Sequence, residues 1–476
     1  MSKVKDNGTE TRMVTIETRL SVNSNLVKYM QVFMSVYSKY KRQIWQEMTN
    51  KYHTDRYTDI AEYKKSLRAN KLLGRTVNSL VNEVQGNMNA YMQLKKYELS
   101  QLKIKLNQVE NMICKIKDKL FTLQQDLSTN KNVTKFRVQK YHNLKKSLYW
   151  KQNKLNRIKQ QILNLEYQIE HNIYKLCFGT KTLFSKQYRL QENGYKTHTK
   201  WYNDFVKNRD KNVYYLGANN ETMGNQMFQL YYNIDEDNFT AIVRKESAYC
   251  NGNDDKYIID NNIDFRYRRD DLIRIIRAYI TNDSEKVALN YRVCRKGNKW
   301  YLQVIFADSV NVEDYKTSKE MGTIGLDYND GFIELSETNR DGNLIHQGHY
   351  ILKRHGTGKA ARTEIQQIIS KIVQYAESKS KDIIAEDLNF KTTKARTLKA
   401  KSDNGKIYNK MLHIFDYNRY KQVLHDTGFN HRVRIVFINP RNTTKDSIKK
   451  YGYNRKLNRH QAASYGIART GQGFSI

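Results

Sequence analysis

A heptad repeat in the first half of the chain constrains the fold more than any other feature. Between positions 99 and 127, apolar residues alternate spacings of three and four, which is the a/d seam of a coiled coil. The members are Leu99, Leu102, Leu106, Val109, Ile113, Ile116, Leu120, Leu123 and Leu127. The seam resumes from Tyr141 to Leu176, with Lys151 in one seam position. Two long helices are therefore predicted.

A polar segment, STNKN at 128–132, separates the two halves of this repeat. Two amphipathic helices joined by so short a turn fold most simply back on each other, so we expect an antiparallel hairpin over 95–176. Dimerisation between chains through the same seam is the alternative. Residues 91–180 carry a net charge of +12, which favours nucleic-acid backbone as the partner of the exposed face.

The patterns on either side of the hairpin differ from it. A strand-like run, RMVTIETRLSV (12–22), precedes helical patterns that reach residue 92. From 180 to 320, short runs rich in β-branched and aromatic residues predict a mostly antiparallel β region with one helix near 269–280. From 322 onward, three antiparallel strands are followed by alternating helices and strands, which is the order of an RNase H-like domain.

Two of these predicted strands each end at a carboxylate. TIGLDYND (323–330) contains Asp327, and DIIAEDL (382–388) contains Glu386. Adjacent strands lie about 4.8 Å apart, and two-metal nucleases need carboxylates that converge on ions about 3.5–4 Å apart. Asp330 lies close in sequence, whereas alternation turns Asp387 to the opposite face. Asp327 could alternatively open the turn that follows it, but its pairing with Glu386 favours a metal site.

Charge and composition restrict the class of partner. The net charge of +35 over 476 residues indicates a polyanion. The 35 tyrosines offer faces for base stacking, although an AT-rich genome would also enrich tyrosine. No apolar run of about 18 residues and no apolar signal core occur, so we expect a cytoplasmic protein that does not enter membranes. The four cysteines form no CxxC pair, and no zinc is expected.

Several segments together resemble one protein family. GLDYNDGFIELSETNRDGNLI (325–345) resembles the first RuvC motif of TnpB proteins, the transposon-encoded RNA-guided nucleases, in their TnpB-related branch. DIIAEDLNF (382–390) is similar to the second motif, and 437–474 resembles the C-terminal segment. Upstream, 178–205, 214–232 and the hairpin at 292–306 also resemble that branch.

The resemblance implies a multidomain α+β protein akin to compact type V CRISPR effectors. A wedge-type β-barrel would be built from 1–23 and 181–320, with a helical recognition lobe at 24–180 inserted into it. A C-terminal RNase H-like RuvC domain would occupy 321–476. The resemblance also implies a guide RNA, a target DNA and Mg²⁺, with Mn²⁺ as an alternative. We expect a bacterial or phage-encoded, nucleoid-associated protein that acts as one monomer per RNA.

The chain departs from the TnpB pattern at two places. It lacks the zinc ribbon that usually precedes the third motif, and Asn458 stands where an aspartate is usual. Asparagine is neutral and a poor Mg²⁺ ligand. His460 could serve instead as a ligand or a base, or it could be a helix-start histidine that contacts phosphate or backbone. The expected catalytic residues are Asp327, Glu386 and His460, with Asp327 and Glu386 as metal ligands.

Three functions remain in competition. The first is an RNA-guided DNA endonuclease with a RuvC site, supported by the 19 basic and 4 acidic residues of 391–476, which would capture the strand to be cut. The second is an RNA-guided DNA-binding protein, a repressor or targeting factor, that cuts weakly or not at all because an acid is replaced. The third is a guide-free RNase H-like recombination enzyme. Asn458 separates the first two, and RNA that co-purifies would count against the third.

Overall fold

The computed structural model has a mixed α+β architecture with three β-sheets. The chain forms two compact units, one made of Met1 and Arg12–Asp308 and the other of Ser2–Thr11 and Ser309–Ile476. The structure describes residues 3–4, 9–50, 60–69, 72–129, 134–252, 254–282, 286–329, 331–353, 358–387, 417–440, 443–452 and 456–475. Asp330 and the basic segment 391–406 lie outside the described residues.

The first unit contains seven of the described helices. They are α1 (Asn25–Asn50), α2 (Ile60–Ala69), α3 (Gly74–Thr129), α4 (Lys135–Glu170), α5 (Lys181–Ser185), α6 (His198–Arg209) and α7 (Arg269–Ile280). Where the sequence predicts a hairpin arm starting near residue 95, α3 is continuous over 56 residues. No proline interrupts it, and a Cβ at Gly86 would meet open space. The early turns of α3 bury Val77, Leu80 and Val84 in the unit's main core.

Helices α3 and α4 run antiparallel along their shared seam. Lys103 Nζ lies 2.7 Å from Glu166 Oε1, and Lys159 Nζ lies 3.8 Å from Glu110 Oε1. As the residue number rises along α3, the number of the ion-pair partner on α4 falls, so the two helices are antiparallel. This is the arrangement expected for a hairpin within one chain. The seam buries Val109, Ile113, Ile158 and Ile162.

The strands of the first unit form two separate sheets. They are β2 (Glu10–Leu20), β3 (Asn212–Tyr215), β4 (Phe228–Asn233), β5 (Asn238–Arg244), β6 (Tyr257–Ile263), β7 (Asn290–Lys296) and β8 (Lys299–Val310). One sheet has the order β2-β8-β7-β3, and the other has the order β4-β5-β6. A short β1 (Lys3–Val4) pairs with Glu10 and Thr11.

The wedge-type β-barrel expected from the resemblance is not found as a closed barrel among the described residues. A barrel requires its last strand to pair with its first. Strands β4 to β6 pair only among themselves, and β3 ends the other sheet as an edge strand.

The second unit is a five-stranded sheet with helices on both faces. Its elements are β9 (Thr323–Asn329), β10 (Phe332–Thr338), β11 (Leu344–Ile351), α8 (Lys359–Ser378), β12 (Asp382–Glu386), α9 (Tyr417–His431), β13 (Ile435–Ile438), α10 (Thr443–Ser447) and α11 (Arg459–Gln472). The strand order is β11-β10-β9-β12-β13. Strands β9 to β11 are antiparallel, whereas β12 is parallel to both β9 and β13.

Alternation along β9 assigns its residues to two different layers. Ile324 and Leu326 belong to a core that also contains Ile369 of α8 and Leu424 of α9. The intervening residues face α11, since Thr323 Oγ1 donates to the Ala468 carbonyl over 2.8 Å. The acid at the end of β9 therefore shares its face with α11.

Candidate active site

The parallel pairing of β9 with β12 brings Asp327 and Glu386 side by side. Ala385 is the partner of Leu326, and the same register continued by one residue pairs Glu386 with Asp327. In-register residues of neighbouring strands point to the same face, so both carboxylates face α11. Each of the two residues is only 8% exposed. These are the two acids that the sequence proposed as metal ligands.

The Asp327 carboxylate is held by two side chains that bond to the same oxygen. Asn329 Nδ2 donates to Oδ2 over 2.8 Å, and His460 Nδ1 lies 2.9 Å from Oδ2. Because a carboxylate accepts hydrogen bonds, His460 Nδ1 acts as the donor here. His460 therefore fixes the orientation of the Asp327 carboxylate through Nδ1.

Asn458 has a structural role at the start of α11. Its Oδ1 accepts from the backbone N–H groups of His460 and Gln461, both over 2.9 Å. Gln461 Oε1 in turn accepts from the Asn458 backbone N–H over 3.0 Å. This capping box satisfies the first N–H groups of the helix. The Asn458 amide oxygen thus serves the helix end, which in turn sets the position of His460.

Small residues allow α11 to approach the sheet closely. A Cβ at Gly325 would lie 2.2 Å from the Ser464 carbonyl and 2.5 Å from the Ala468 nitrogen, so only glycine fits there. Ser336 Oγ and Ser464 Oγ lie 2.6 Å apart. This close contact places the first turn of α11, and with it His460, beside the end of β9.

The structure adds a third buried carboxylate, Glu334, which the sequence reasoning missed. Glu334 is the partner of Asp327 across the β9–β10 hairpin and is 4% exposed. His349 of β11 is paired with Glu334, and its Nδ1 lies 2.7 Å from Glu334 Oε1. Glu386, Asp327, Glu334 and His349 thus form a lateral row with one ionisable residue per strand.

Phe332 links this row to α11. The centroid of its ring lies 5.2 Å from that of His349 and 5.0 Å from that of His460. Two imidazoles, each bonded through Nδ1 to a carboxylate, therefore contact one aromatic ring. Glu334 could have been found by counting residues, because two residues between Asn329 and Phe332 set Asp327 opposite Glu334.

Tyrosines of α9 support the end of β12. The Tyr417 hydroxyl donates to the Glu386 carbonyl, and the Tyr420 ring stacks on Tyr328 with centroids 4.1 Å apart. Burial raises the pKa of Tyr420, and the nearby Tyr417, Tyr328, Asp327 and Glu386 raise it further. The negative charges of both candidate acids therefore act on the Tyr420 hydroxyl.

Asp387 points away from the two acids, as alternation predicts. Its Oδ1 pairs with Lys421 Nζ over 2.6 Å, and its side chain is 54% exposed. An exposed ion pair of this kind contributes little to stability. Asp387 is therefore a natural control for Glu386.

The oxygen donors of Asp327 and Glu386 fit a divalent ion of the magnesium type. Among the described residues, no set of three His, Cys, Asp or Glu side chains could hold a metal ion. Mg²⁺ is, however, commonly bound by one or two carboxylates together with waters and substrate phosphates. Asp327 and Glu386 alone would leave such an ion incompletely coordinated. The oxygens of a bound phosphodiester would have to supply further ligands.

The comparisons with known proteins gave structural neighbours only. No family model matches the chain, and no curated protein matches it. A Cas12f1–sgRNA–target DNA complex is 10% identical, covers 80% of this chain and 95% of that chain, and gives a TM-score of 0.22. A Cas12i1 R-loop complex after target DNA cleavage is 11% identical, covers 83% of this chain and 57% of that chain, and gives a TM-score of 0.23.

A third neighbour is a Cas12i1 R-loop complex before target DNA cleavage. It is 10% identical, covers 84% of this chain and 48% of that chain, and gives a TM-score of 0.22. The chain thus spans about half the length of the two Cas12i1 chains. TM-scores of this size do not establish a common overall fold. In the part of the chain that the structure describes, every helix is too short or too polar to cross a membrane.

Proposed function

We propose that this chain is an RNA-guided DNA endonuclease of the TnpB type that hydrolyses phosphodiesters at a RuvC-type site. The observation that carries the proposal is the pair Asp327 and Glu386, set side by side by the β9–β12 register and faced by the N-terminus of α11. The strand order β11-β10-β9-β12-β13, with three antiparallel strands followed by parallel ones, supports an RNase H-like assignment for 321–476.

The metal would be Mg²⁺ or Mn²⁺, held by Asp327 and Glu386. When bound, it would activate water and stabilise the leaving oxygen of the cleaved phosphodiester. His460 would keep Asp327 in its ligating orientation, because its Nδ1 bonds to Oδ2. The N-terminal end of α11 would favour the phosphate of the strand, since helix N-termini attract anions.

Guide RNA and target DNA are the proposed partners. The net charge of +35 is the physical support, because counterion release from phosphate supplies most sequence-independent affinity. In guided systems, base pairing selects the sequence while the protein holds the heteroduplex by its shape and backbone. The proposed setting is a bacterial or phage-encoded protein in the cytoplasm.

The test begins with the protein purified together with its native RNA. That RNA is sequenced, and the complex is incubated with a plasmid that carries the matching target in the presence of Mg²⁺. We expect cleavage by the unaltered protein, none after Asp327→Ala or Glu386→Gln, and retained RNA binding in both variants. Asp387→Asn is the matched control, since it changes the neighbouring, outward-facing acid and should cut normally.

Two results would contradict the proposal. Cleavage that persists after Asp327→Ala would place the chemistry elsewhere. Purification without any bound RNA would favour the guide-free recombination enzyme.

The use of Asn458 as a helix cap favours a second function, RNA-guided DNA binding without efficient cleavage. In this version the site lacks its third acid, and the protein acts as a repressor or targeting factor. It predicts guide-dependent DNA binding with no product in Mg²⁺ or Mn²⁺. Asn458→Asp separates the two, because aspartate caps helices as well as asparagine does and also restores an acid. A large gain in cleavage would favour the second function. Efficient cleavage by the unaltered protein that Asn458→Asp leaves unchanged would favour the first.

A further inference from the structure

The outer face of α4 carries exposed aromatic side chains among positive charges. Between Lys135 and Lys159 the helix contains nine Lys or Arg residues and no Asp or Glu. Phe136, Tyr149 and Trp150 are 77%, 60% and 59% exposed. A single exposed ring is ordinary on a protein surface, whereas exposed rings that form one contiguous patch mark an interaction site.

Tyr149 and Trp150 form one patch together with the cations around them. Their ring centroids lie 5.6 Å apart with an interplanar angle of 70°. Lys145 and Lys146 lie four and three residues before Tyr149, and Lys154 lies four residues after Trp150, which places all five side chains on adjoining helix turns. We call these five residues the Tyr149–Trp150 patch.

The patch is not part of the hairpin seam. Leu148 and Leu155 of α4 pack against the buried seam residues, as do Leu99, Leu102 and Leu106 of α3. In the described part of the chain, no carboxylate forms an ion pair with Lys145, Lys146 or Lys154. The ion pairs between the two helices instead lie farther along α4, at Lys159 and Glu166.

We propose that the Tyr149–Trp150 patch binds unpaired nucleotides of a single-stranded nucleic acid, with bases stacked on Tyr149 and Trp150 and phosphates beside the lysines. Only an unpaired base offers a free face to an aromatic ring, and such stacking combined with a basic surface is how single strands are bound without sequence choice. A second copy of the chain is the poorer occupant, because it would bring an equally positive surface.

This proposal rests on the nucleic-acid binding in the proposed function and adds a second contact surface to it. Its test involves neither metal nor cleavage, so the two proposals can fail separately. The chain also provides its own reporter. Of the four tryptophans, Trp45, Trp201 and Trp300 are 8%, 3% and 3% exposed. Trp150 is therefore the tryptophan whose fluorescence a bound base would quench.

The experiment titrates the full-length protein, freed of co-purified RNA, with fluorescein-labelled oligo(dT), oligo(U) and a DNA duplex of equal length. Anisotropy reports binding, and tryptophan emission reports stacking. We expect both single strands to quench the emission and the duplex to leave it almost unchanged. The double change Tyr149→Ala, Trp150→Ala should weaken single-strand binding at least about 30-fold, whereas Tyr149→Phe, Trp150→Phe should keep the affinity.

Tyr167→Ala is the matched control. Tyr167 is 54% exposed on the same helix but lies beside Glu166 and Glu170, so its removal should leave the affinity unchanged. A separate change of Lys146 and Lys154 to Gln should reduce the slope of log affinity against log salt by about 0.7 for each phosphate that is no longer neutralised.

Three outcomes would overturn the proposal. The first is binding of single strands without quenching. The second is an equal loss of affinity in the aromatic double variant and in Tyr167→Ala. The third is concentration-dependent dimerisation that the aromatic double variant abolishes, which would identify a second copy as the occupant.

Discussion

His460 and Asn458 lie two residues apart at the start of α11, yet their side chains have different partners. Asn458 accepts backbone N–H groups of its own helix, while His460 Nδ1 meets Asp327 Oδ2. A ring nitrogen that bonds to a carboxylate fixes the orientation of both groups, and such partners tune the ligand rather than replace it. In our proposal, His460 acts through Asp327, so it does not supply the missing third carboxylate.

His460→Ala should lower the cleavage rate about 10- to 100-fold without abolishing it. The reason is that Asp327 would keep its charge but lose one of the two donors to Oδ2. Part of the rate should return at high Mg²⁺, because a less well-oriented ligand binds the ion more weakly. Single-turnover cleavage measured over a series of Mg²⁺ concentrations checks this.

His346→Ala provides the matched imidazole control. The His346 ring lies 5.7 Å from Tyr375, away from Asp327, so its removal should leave the rate unchanged at every Mg²⁺ concentration. An effect of His460→Ala that does not change with Mg²⁺ would contradict an orienting role.

At the residue scale, the sequence indicated the two acids but not their surroundings. Asp327 and Glu386 each end a run of apolar residues, and that pattern is visible in the sequence itself. Glu334 was missed because it lies in the middle of β10 between apolar neighbours. Its pairing with Asp327 follows from the two-residue turn between β9 and β10, a register that apolar patterning alone does not reveal.

At the element scale, the contact between β9 and α11 depends on one glycine. Gly325→Ala would bring a Cβ against backbone atoms of Ser464 and Ala468, and backbone cannot yield as a flexible side chain can. We expect the free energy of unfolding to fall by about 1–3 kcal/mol and cleavage to fall with it, because α11 carries His460.

Gly358→Ala is the control for this prediction. A Cβ at Gly358 would meet nothing within 4 Å, so stability and cleavage should both stay near those of the unaltered protein. Urea unfolding followed by circular dichroism, together with the cleavage rate, tests the pair. Equal effects of the two substitutions would mean that close packing at Gly325 is not the cause.

A buried ion pair makes the stability of the second unit depend on pH. Lys381 Nζ lies 2.6 Å from Glu337 Oε1, and Tyr375 donates to Glu337 Oε2 over 2.5 Å. Burial raises the pKa of Glu337, but these hydrogen bonds outweigh it and hold the pKa below its ordinary value. The charged form is thus favoured by folding, so its stabilisation is present at neutral pH and is lost as the pH falls through the folded pKa.

Glu337→Gln should therefore lower the free energy of unfolding at pH 7 by about 3 kcal/mol. The difference from the unaltered protein should begin to shrink as the pH falls below the ordinary glutamate pKa of about 4.3, and it should be lost as the pH passes through the lower pKa of folded Glu337. Burial raises the pKa of Asp382. Asp382 titrates in both proteins, so its contribution cancels when their free energies of unfolding are compared. Hydrogen exchange of peptides from β10, corrected for intrinsic rates, measures the difference. A difference that is constant with pH would contradict this role.

At the scale of the whole molecule, the net charge of +35 predicts nucleic-acid binding that weakens steeply as the salt concentration rises. If six to ten phosphates are contacted, affinity should fall roughly 10³- to 10⁵-fold between 50 and 200 mM salt. Anisotropy titrations of the Asp327→Ala protein with DNA at several salt concentrations check this without cleavage. An affinity that hardly changes with salt would contradict phosphate as the main contact.

The amino-acid sequence was sufficient to locate the elements with a strong period and the acids at their ends. The heptad spacing indicated the two long helices, and the apolar runs located β9 and β12, because periodicity reflects which face of each element is buried. Which side chains meet was settled by the tertiary structure. The β9–β10 register set Glu334 beside Asp327, the close contact at Gly325 brought His460 to Asp327, and the helix end engaged Asn458. Glu334 follows Asp327 by only seven residues, and its place beside Asp327 depends on the register of the turn between β9 and β10. The contact at Gly325 joins residues far apart in sequence, and the cap depends on where α11 begins, so apolar patterning alone does not encode the assembled site.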